Sequence, residues 1–161
     1  MEEKALPKTP EQDDLVKLCA ALNSHGAHYI VVGGMAVIRQ GFLRATEDID
    51  LLLETSRENQ RRIREALEFL PDKAVRGMGE NDLDEYGVVR VADEIVVDLM
   101  MSACGITYEE AKSEIEQSVI GGVSIPFASA KLLLRMKQTY PEKDIPDRIF
   151  LEEKLRTESE K

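Results

Sequence analysis

Two aspartates stand one residue apart in the stretch VVGGMAVIRQGFLRATEDIDLLLE, which runs from Val31 to Glu54. The residues around Asp48 and Asp50 are Ile and Leu, so the segment reads as a strand, and side chains two apart on a strand share a face. Carboxylates set in an apolar strand are costly unless positive charge meets them. A third aspartate, Asp98, interrupts the later run EIVVDLM. Alternation puts Val96, Asp98 and Met100 on one face and Ile95, Val97 and Leu99 on the other. If the two strands are neighbours, three carboxylates converge, and a hard divalent cation would relieve their repulsion. Mg²⁺ favours carboxylates together with substrate phosphates, and a pair of such ions clamps the attacking and leaving oxygens of a phosphoryl displacement. The plainer alternatives are an ion pair for Asp98, and a helix cap or a pairing with Arg44 for Asp48 and Asp50.

The glycine pair Gly33-Gly34 supplies a second half of the pattern. It ends one apolar run and opens another, and thirteen residues, Met35 to Glu47, separate it from Asp48. Without Cβ atoms the backbone there can come close to an anion, and free N–H groups at a helix start can face phosphates. There is no GK[ST] and no GxGxxG, so neither a P-loop nor a dinucleotide fingerprint is present. Arg44 and Thr46 lie just before the aspartates, within reach of a phosphate or of a water beside the ions.

These residues need a sheet to position them. Leu15, Leu18, Cys19 and Leu22 fall at helical spacing in EQDDLVKLCAALNSHG, with Gly26 as the stop. HYIVVGG predicts a buried strand, GMAVIRQG a short helix closed by Gly41, and IDLLLE a second strand. SRENQRRIREALEFL predicts a helix capped by Ser56 with Ile63, Leu67 and Leu70 inward. Its arginines, Arg57, Arg61, Arg62 and Arg64, read as a solvated face with intrahelical glutamate partners. PDKAVRGMGENDLDE is turn-rich, and YGVVRVADEIVVDLM predicts a hairpin turning at Ala92-Asp93-Glu94. TYEEAKSEIEQS predicts a helix capped at Thr107, GGVSIPFA a last strand, SAKLLLRMKQTY a helix with Leu132, Leu133 and Met136 inward, and KDIPDRIFLEEKL a final helix. The expected architecture is a mixed β-sheet flanked by helices, an α/β (α+β) class.

Composition narrows the function classes. The chain has 161 residues, is 43% hydrophobic and 32% charged, and suits one domain over 1–161 with tails at 1–12 and 156–161. No apolar run approaches the roughly 20 residues of a membrane span, and MEEKALPKTPEQDD lacks a signal-peptide core, so the expectation is a cytoplasmic protein with no membrane partner. Cys19 and Cys104 form no CxxC, and Cys19, His25 and His28 fit no usual zinc spacing. A net charge of −10 disfavours loose binding to nucleic acid. An anionic ligand must then be held by a local site, helped by metal ions.

The glycine pair followed by Asp-Ile-Asp resembles the signature of the nucleotidyltransferase fold shared by DNA polymerase β and the minimal nucleotidyltransferases. VVGGMAVIRQGFLRATEDIDLLLE, with the later IPFASAKLLLRMKQTYPEKDIPD, is similar to the AbiEii-like nucleotidyltransferases of bacterial toxin–antitoxin systems, over about Tyr29 to Leu155. The resemblance implies that Asp48 and Asp50 hold Mg²⁺ (or Mn²⁺), that Gly33 and Gly34 contact nucleotide phosphates, and that Asp98 helps to activate the attacking group. It also implies a helical lysine and a downstream aspartate. Lys137 and Asp147 match these best, with Asp144 competing; a solvated lysine and two helix-capping aspartates remain the alternatives. The implied activity is transfer of a nucleoside monophosphate from an NTP to an acceptor hydroxyl on RNA, protein or a small molecule, with an antitoxin as a possible partner. The rival expectation is a non-catalytic nucleotide-binding or interaction module on the same fold.

Overall fold

The computed structural model describes residues 6–137 and 145–160, with Lys137 described in its backbone alone. The chain opens with α1 (Gln12–Ser24), whose buried stripe is Leu15, Leu18, Cys19 and Leu22. It stops where Gly26 takes a φ of +69° and feeds β1 (Tyr29–Val32), which is buried at every residue. Since alternate residues of a strand face opposite ways, both sides of the sheet are covered at this point. α2 (Gly33–Arg39) and β2 (Asp48–Leu53) follow. Next comes α3 (Arg57–Ala66), capped by the Ser56 side chain, which accepts a hydrogen bond from the Asn59 N–H.

The turn-rich stretch after α3 contains a short helix, α4 (Asp82–Tyr86), absent from the sequence reading and ended by Gly87 at φ +75°. The expected hairpin is β3 (Val88–Ala92) and β4 (Val96–Met100). A miniature hairpin, β5 (Ser102–Ala103) with β6 (Ile106–Thr107), comes next, and Thr107 caps α5 (Tyr108–Ala111). β7 (Ile115–Ile120), β8 (Val123–Ala128), α6 (Ala130–Lys137) and α7 (Ile145–Ser159) complete the order.

Six of the described strands form one mixed sheet in the order β3-β4-β2-β1-β8-β7. β2 runs antiparallel to β1 and parallel to β4, and β1 runs parallel to β8. Helix α1 packs on β8 and α3, while α2 packs on β1, β2 and α6, and α6 packs on α7. The buried core runs from Leu18 and Leu22 through Ile30, Ile49, Leu51 and Leu53 to Phe127, Leu132, Leu133 and Leu151. No helix among the described residues is long and apolar enough to cross a membrane.

Two expectations change. The helix predicted across TYEEAKSEIEQS ends early: α5 and a 3₁₀ turn stop at Glu114, and Ile115–Ile120 is a strand. The cause is the hairpin with β8. Gly121 and Gly122, at φ +58° and +80°, make the two-residue turn between the paired residues Ile120 and Val123. Cross-strand pairing outweighs the helix preference of Glu and Gln there. At the other end, α7 continues to Ser159 over residues read as a tail, with Arg156 tied to Glu153 and Glu160 along its surface. The arginines of α3 partly follow expectation. Arg61 and Arg62 pair with Glu58, and Arg61 also with Glu65, but Arg57 reaches Asp84 of α4.

One side chain fastens three elements. Asn59 of α3 is 1% exposed. Its Oδ1 accepts from the His28 N–H at 2.7 Å, and its Nδ2 donates to the carbonyls of His28 and Glu54 at 2.9 and 2.8 Å. The start of β1 and the end of β2 are thereby joined to α3. Truncation would remove three part-buried hydrogen bonds at once, so Asn59→Ala is expected to lower stability by about 2–4 kcal/mol in urea unfolding. A loss below about 0.5 kcal/mol would refute this role.

Candidate functional site

Strand register brings the three aspartates together. Val32 lies opposite Asp50 on one side of β2, and Asp50 lies opposite Asp98 on the other. Directly opposed residues share a face, as do residues two apart, so Asp48, Asp50 and Asp98 point the same way. Each offers a carboxylate oxygen, and these oxygens lie within 4.8 Å of one another. Asp98 is nearly buried, while Asp48 and Asp50 are half-buried. Asp98 therefore lies on the expected sheet face.

The glycines make room for this arrangement. Gly33, at φ +66°, begins α2 immediately after β1, and a Cβ on it would lie 2.0 Å from Asp50 Oδ2. A Cβ on Gly34 would lie 2.3 Å from Thr46 Oγ1. Side chains at either position would push the carboxylate strand and its approach loop away. Thr46 donates its hydroxyl proton to the Asp48 carbonyl at 3.1 Å, bracing the start of β2.

A pocket of about 330 Å³ opens in front, lined by Gly33, Gly34, Arg44, Thr46, Asp48, Asp50 and Asp147 among others. The side chain of Arg44 pairs across it with Asp147 at 2.7 Å, not with the Asp48/Asp50 pair. Asp147 is 3% exposed and sits in the first turn of α7, so it occupies both a helix start and the pocket wall. Arg44 Nε is buried with no hydrogen-bond partner among the described residues. The Lys137 side chain and all of Asp144 lie outside the described residues.

Arg90 escaped the sequence reading. It lies on β3 directly opposite Asp98, and its Nε and Nη2 donate to the two Asp98 oxygens at 2.9 and 3.0 Å. Nη2 also donates to Asp48 Oδ2 at 3.2 Å. A turn at 92–94, as expected from the sequence, would set Arg90 opposite Val96; the turn instead spans 93–95, pairs Ala92 with Val96 and so brings Arg90 opposite Asp98. Burial, and then the adjacent Asp98 carboxylate, push the Asp48 carboxyl above its ordinary value, against the pull of Arg90. Hydrogen bonding to Asp98 holds the Arg90 guanidinium still more firmly protonated than usual.

Three carboxylates aimed at one point beside an anion-accessible glycine turn suit a hard cation and a phosphate. The family model described as the nucleotidyl transferase AbiEii toxin of type IV toxin–antitoxin systems matches residues 17–145. The chain belongs to the AbiEii nucleotidyltransferase family. Two solved structures share the fold. The antibiotic-resistance factor ANT(2'')-Ia is 16% identical with a TM-score of 0.55, over 89% of this chain and 85% of that one. An antigenic nucleotidyltransferase-like protein from Paracoccidioides brasiliensis is 19% identical with a TM-score of 0.51, over 91% and 78%. No curated protein matches. As an AbiEii-family member the chain is a nucleotidyltransferase, and its mixed sheet between helices is the nucleotidyltransferase fold.

The pH response of the metal-free protein follows from Asp48. A raised carboxyl binds its proton more tightly folded than unfolded, so its favourable contribution is present in acid and lost as pH rises through its folded value. At neutral pH the ionised group is a net cost. Asp48→Asn in a chelator is therefore expected to melt at a higher temperature than wild type at neutral pH, with the gap closing as pH falls. A gap that is absent, or that widens in acid, would contradict burial and the Asp98 charge as costs to the ionised Asp48.

Proposed function

We propose that this nucleotidyltransferase moves a nucleoside monophosphate from an NTP to an acceptor hydroxyl with Mg²⁺ or Mn²⁺, in the cytoplasm. The observation that carries the reading is the approach of the Asp48, Asp50 and Asp98 carboxylates within 4.8 Å, beside a glycine turn that a Cβ would fill. The donor set is all carboxylate oxygen, which fits a hard divalent ion. Asp48 and Asp50 would hold that ion, with Asp98 completing the set. Bound there, it would supply charge neutralisation at the phosphates and at the attacking and leaving oxygens.

The chain's own residues have separate tasks. Gly33 and Gly34 let the triphosphate approach the backbone. Arg44 carries positive charge into the pocket, and Thr46 keeps the aspartate strand in place. Asp98 orients the acceptor hydroxyl and takes its proton as the oxygen bonds to the α-phosphorus. The bond from that phosphorus to the bridging oxygen breaks, and pyrophosphate leaves. Most of the rate gain would come from positioning and fixed electrostatics. Lys137 is proposed, from the family pattern alone, to neutralise the β- and γ-phosphates. The type IV toxin–antitoxin setting of the family supports an antitoxin protein as partner. RNA ends, protein hydroxyls and small alcohols such as aminoglycosides are the acceptor classes to try.

The test is label transfer from each α-labelled NTP, with Mg²⁺, to total tRNA, cell protein and aminoglycosides. Wild type is expected to label one acceptor class, and Asp50→Asn to lose at least about a hundredfold in rate, roughly 2.7 kcal/mol. Asp50→Asn retaining wild-type transfer would remove the triad from the reaction.

A further inference from the structure

The same guanidinium that braces Asp98 takes up oxygens a metal would need. Arg90 engages both oxygens of Asp98 and one of Asp48, and these are two of the three carboxylates able to hold an ion. A divalent cation sharing those oxygens would repel a guanidinium bound to the same atoms, and the repulsion is only partly screened where Asp98 is nearly buried. Full occupancy by both is therefore disfavoured. Arg90 is free to yield: its side chain is 61% exposed, it stems from a strand at the sheet edge, and its described ion pairs are all at its tip. Its bond to the half-buried Asp48, at 3.2 Å, is the longer and weaker hold, whereas the planar fork on the nearly buried Asp98 is the firmer one.

We infer that Arg90 is a resident counter-cation of the triad, holding Asp48 and Asp98 together in the metal-free protein and giving up Asp48 when a divalent ion enters. The inference rests on the metal reading above. It makes ion entry an exchange rather than an addition. Without an ion, one positive charge offsets part of the repulsion and the site keeps its shape. With an ion, the guanidinium lets go of Asp48 and keeps its fork on Asp98. Arg90 is thus a positioning residue that acts through the carboxylates, and it weakens the binding of free ions.

The test measures Mn²⁺ binding to the full chain without nucleotide, by electron paramagnetic resonance of the unbound ion. Arg90→Met is expected to bind Mn²⁺ at least about tenfold more tightly than wild type, and Arg90→Lys to fall between them, since lysine lacks the fork. Arg76→Met serves as the charge control. Arg76 pairs with Glu68, so its loss changes net charge equally without freeing a triad oxygen, and affinity should stay within about twofold. In chelator, Arg90→Met should melt below wild type and gain more from added Mn²⁺. Equal or weaker binding by folded Arg90→Met, with wild type binding, overturns the inference and leaves the metal reading standing. Absence of binding in both overturns the metal reading and the inference with it. Should Arg90→Met fail to fold, Arg90→Lys decides alone: binding no tighter than wild type overturns the inference.

Discussion

Repulsion among three carboxylates is the constraint around which this fold is arranged. Unit charges 4–5 Å apart repel by roughly 3–4 kcal/mol at an effective dielectric near 20. Three such pairs approach the whole stability of an ordinary domain, about 5–15 kcal/mol. A sheet that aims Asp48, Asp50 and Asp98 at one point must supply compensation locally. Arg90 does so from the neighbouring strand, and the half-exposed position of Asp48 and Asp50 leaves them partly solvated. Asp48 is still pushed upward, by burial first and by the Asp98 charge second, so Arg90 does not fully offset either.

The rest of the architecture serves to hold that unfavourable grouping in register. The β2–β4 pairing must set Asp50 opposite Asp98, because a slip of one residue would send the side chains of one strand to the other face. β2 is locked on its other side by β1, from Tyr29 opposite Leu53 to Val32 opposite Asp50. Both strands are largely buried, so hydrophobic packing resists any slip. Asn59 ties the far ends of the pair to α3. At the near end, Gly33 and Thr46 fit against Asp50 and the Asp48 backbone.

Much of this was legible in the sequence because it depends on local alternation. The spacing within Asp-Ile-Asp, the lone Asp98 in an apolar run and the glycine pair each announce themselves without knowledge of partners. What stayed hidden depends on register. Arg90 looks like any exposed strand residue until the hairpin sets it opposite Asp98. Arg44 sits near the aspartates in the chain, yet its partner, Asp147, is more than a hundred residues away. Strand β7 was concealed by the opposite error. It continues a Glu-rich segment, with Glu109, Glu110 and Glu114 before it, that favours a helix, and the hairpin through Gly121 and Gly122 makes it a strand.

The two arginines at the site divide its electrostatics. Arg90 faces the carboxylates from the sheet edge and is mostly exposed, whereas Arg44 is tucked against Gly34 and held by the nearly buried Asp147. A carboxylate partner lowers the net field that Arg44 presents to the pocket, but it also fixes the guanidinium in place and links the approach loop to α7. Charge aimed by a buried partner needs little reorganisation when an anion arrives. A chain with a net charge of −10 has little long-range attraction to offer a polyanion. Its affinity must come from groups fixed at the point of contact, and Arg44 is held in that way.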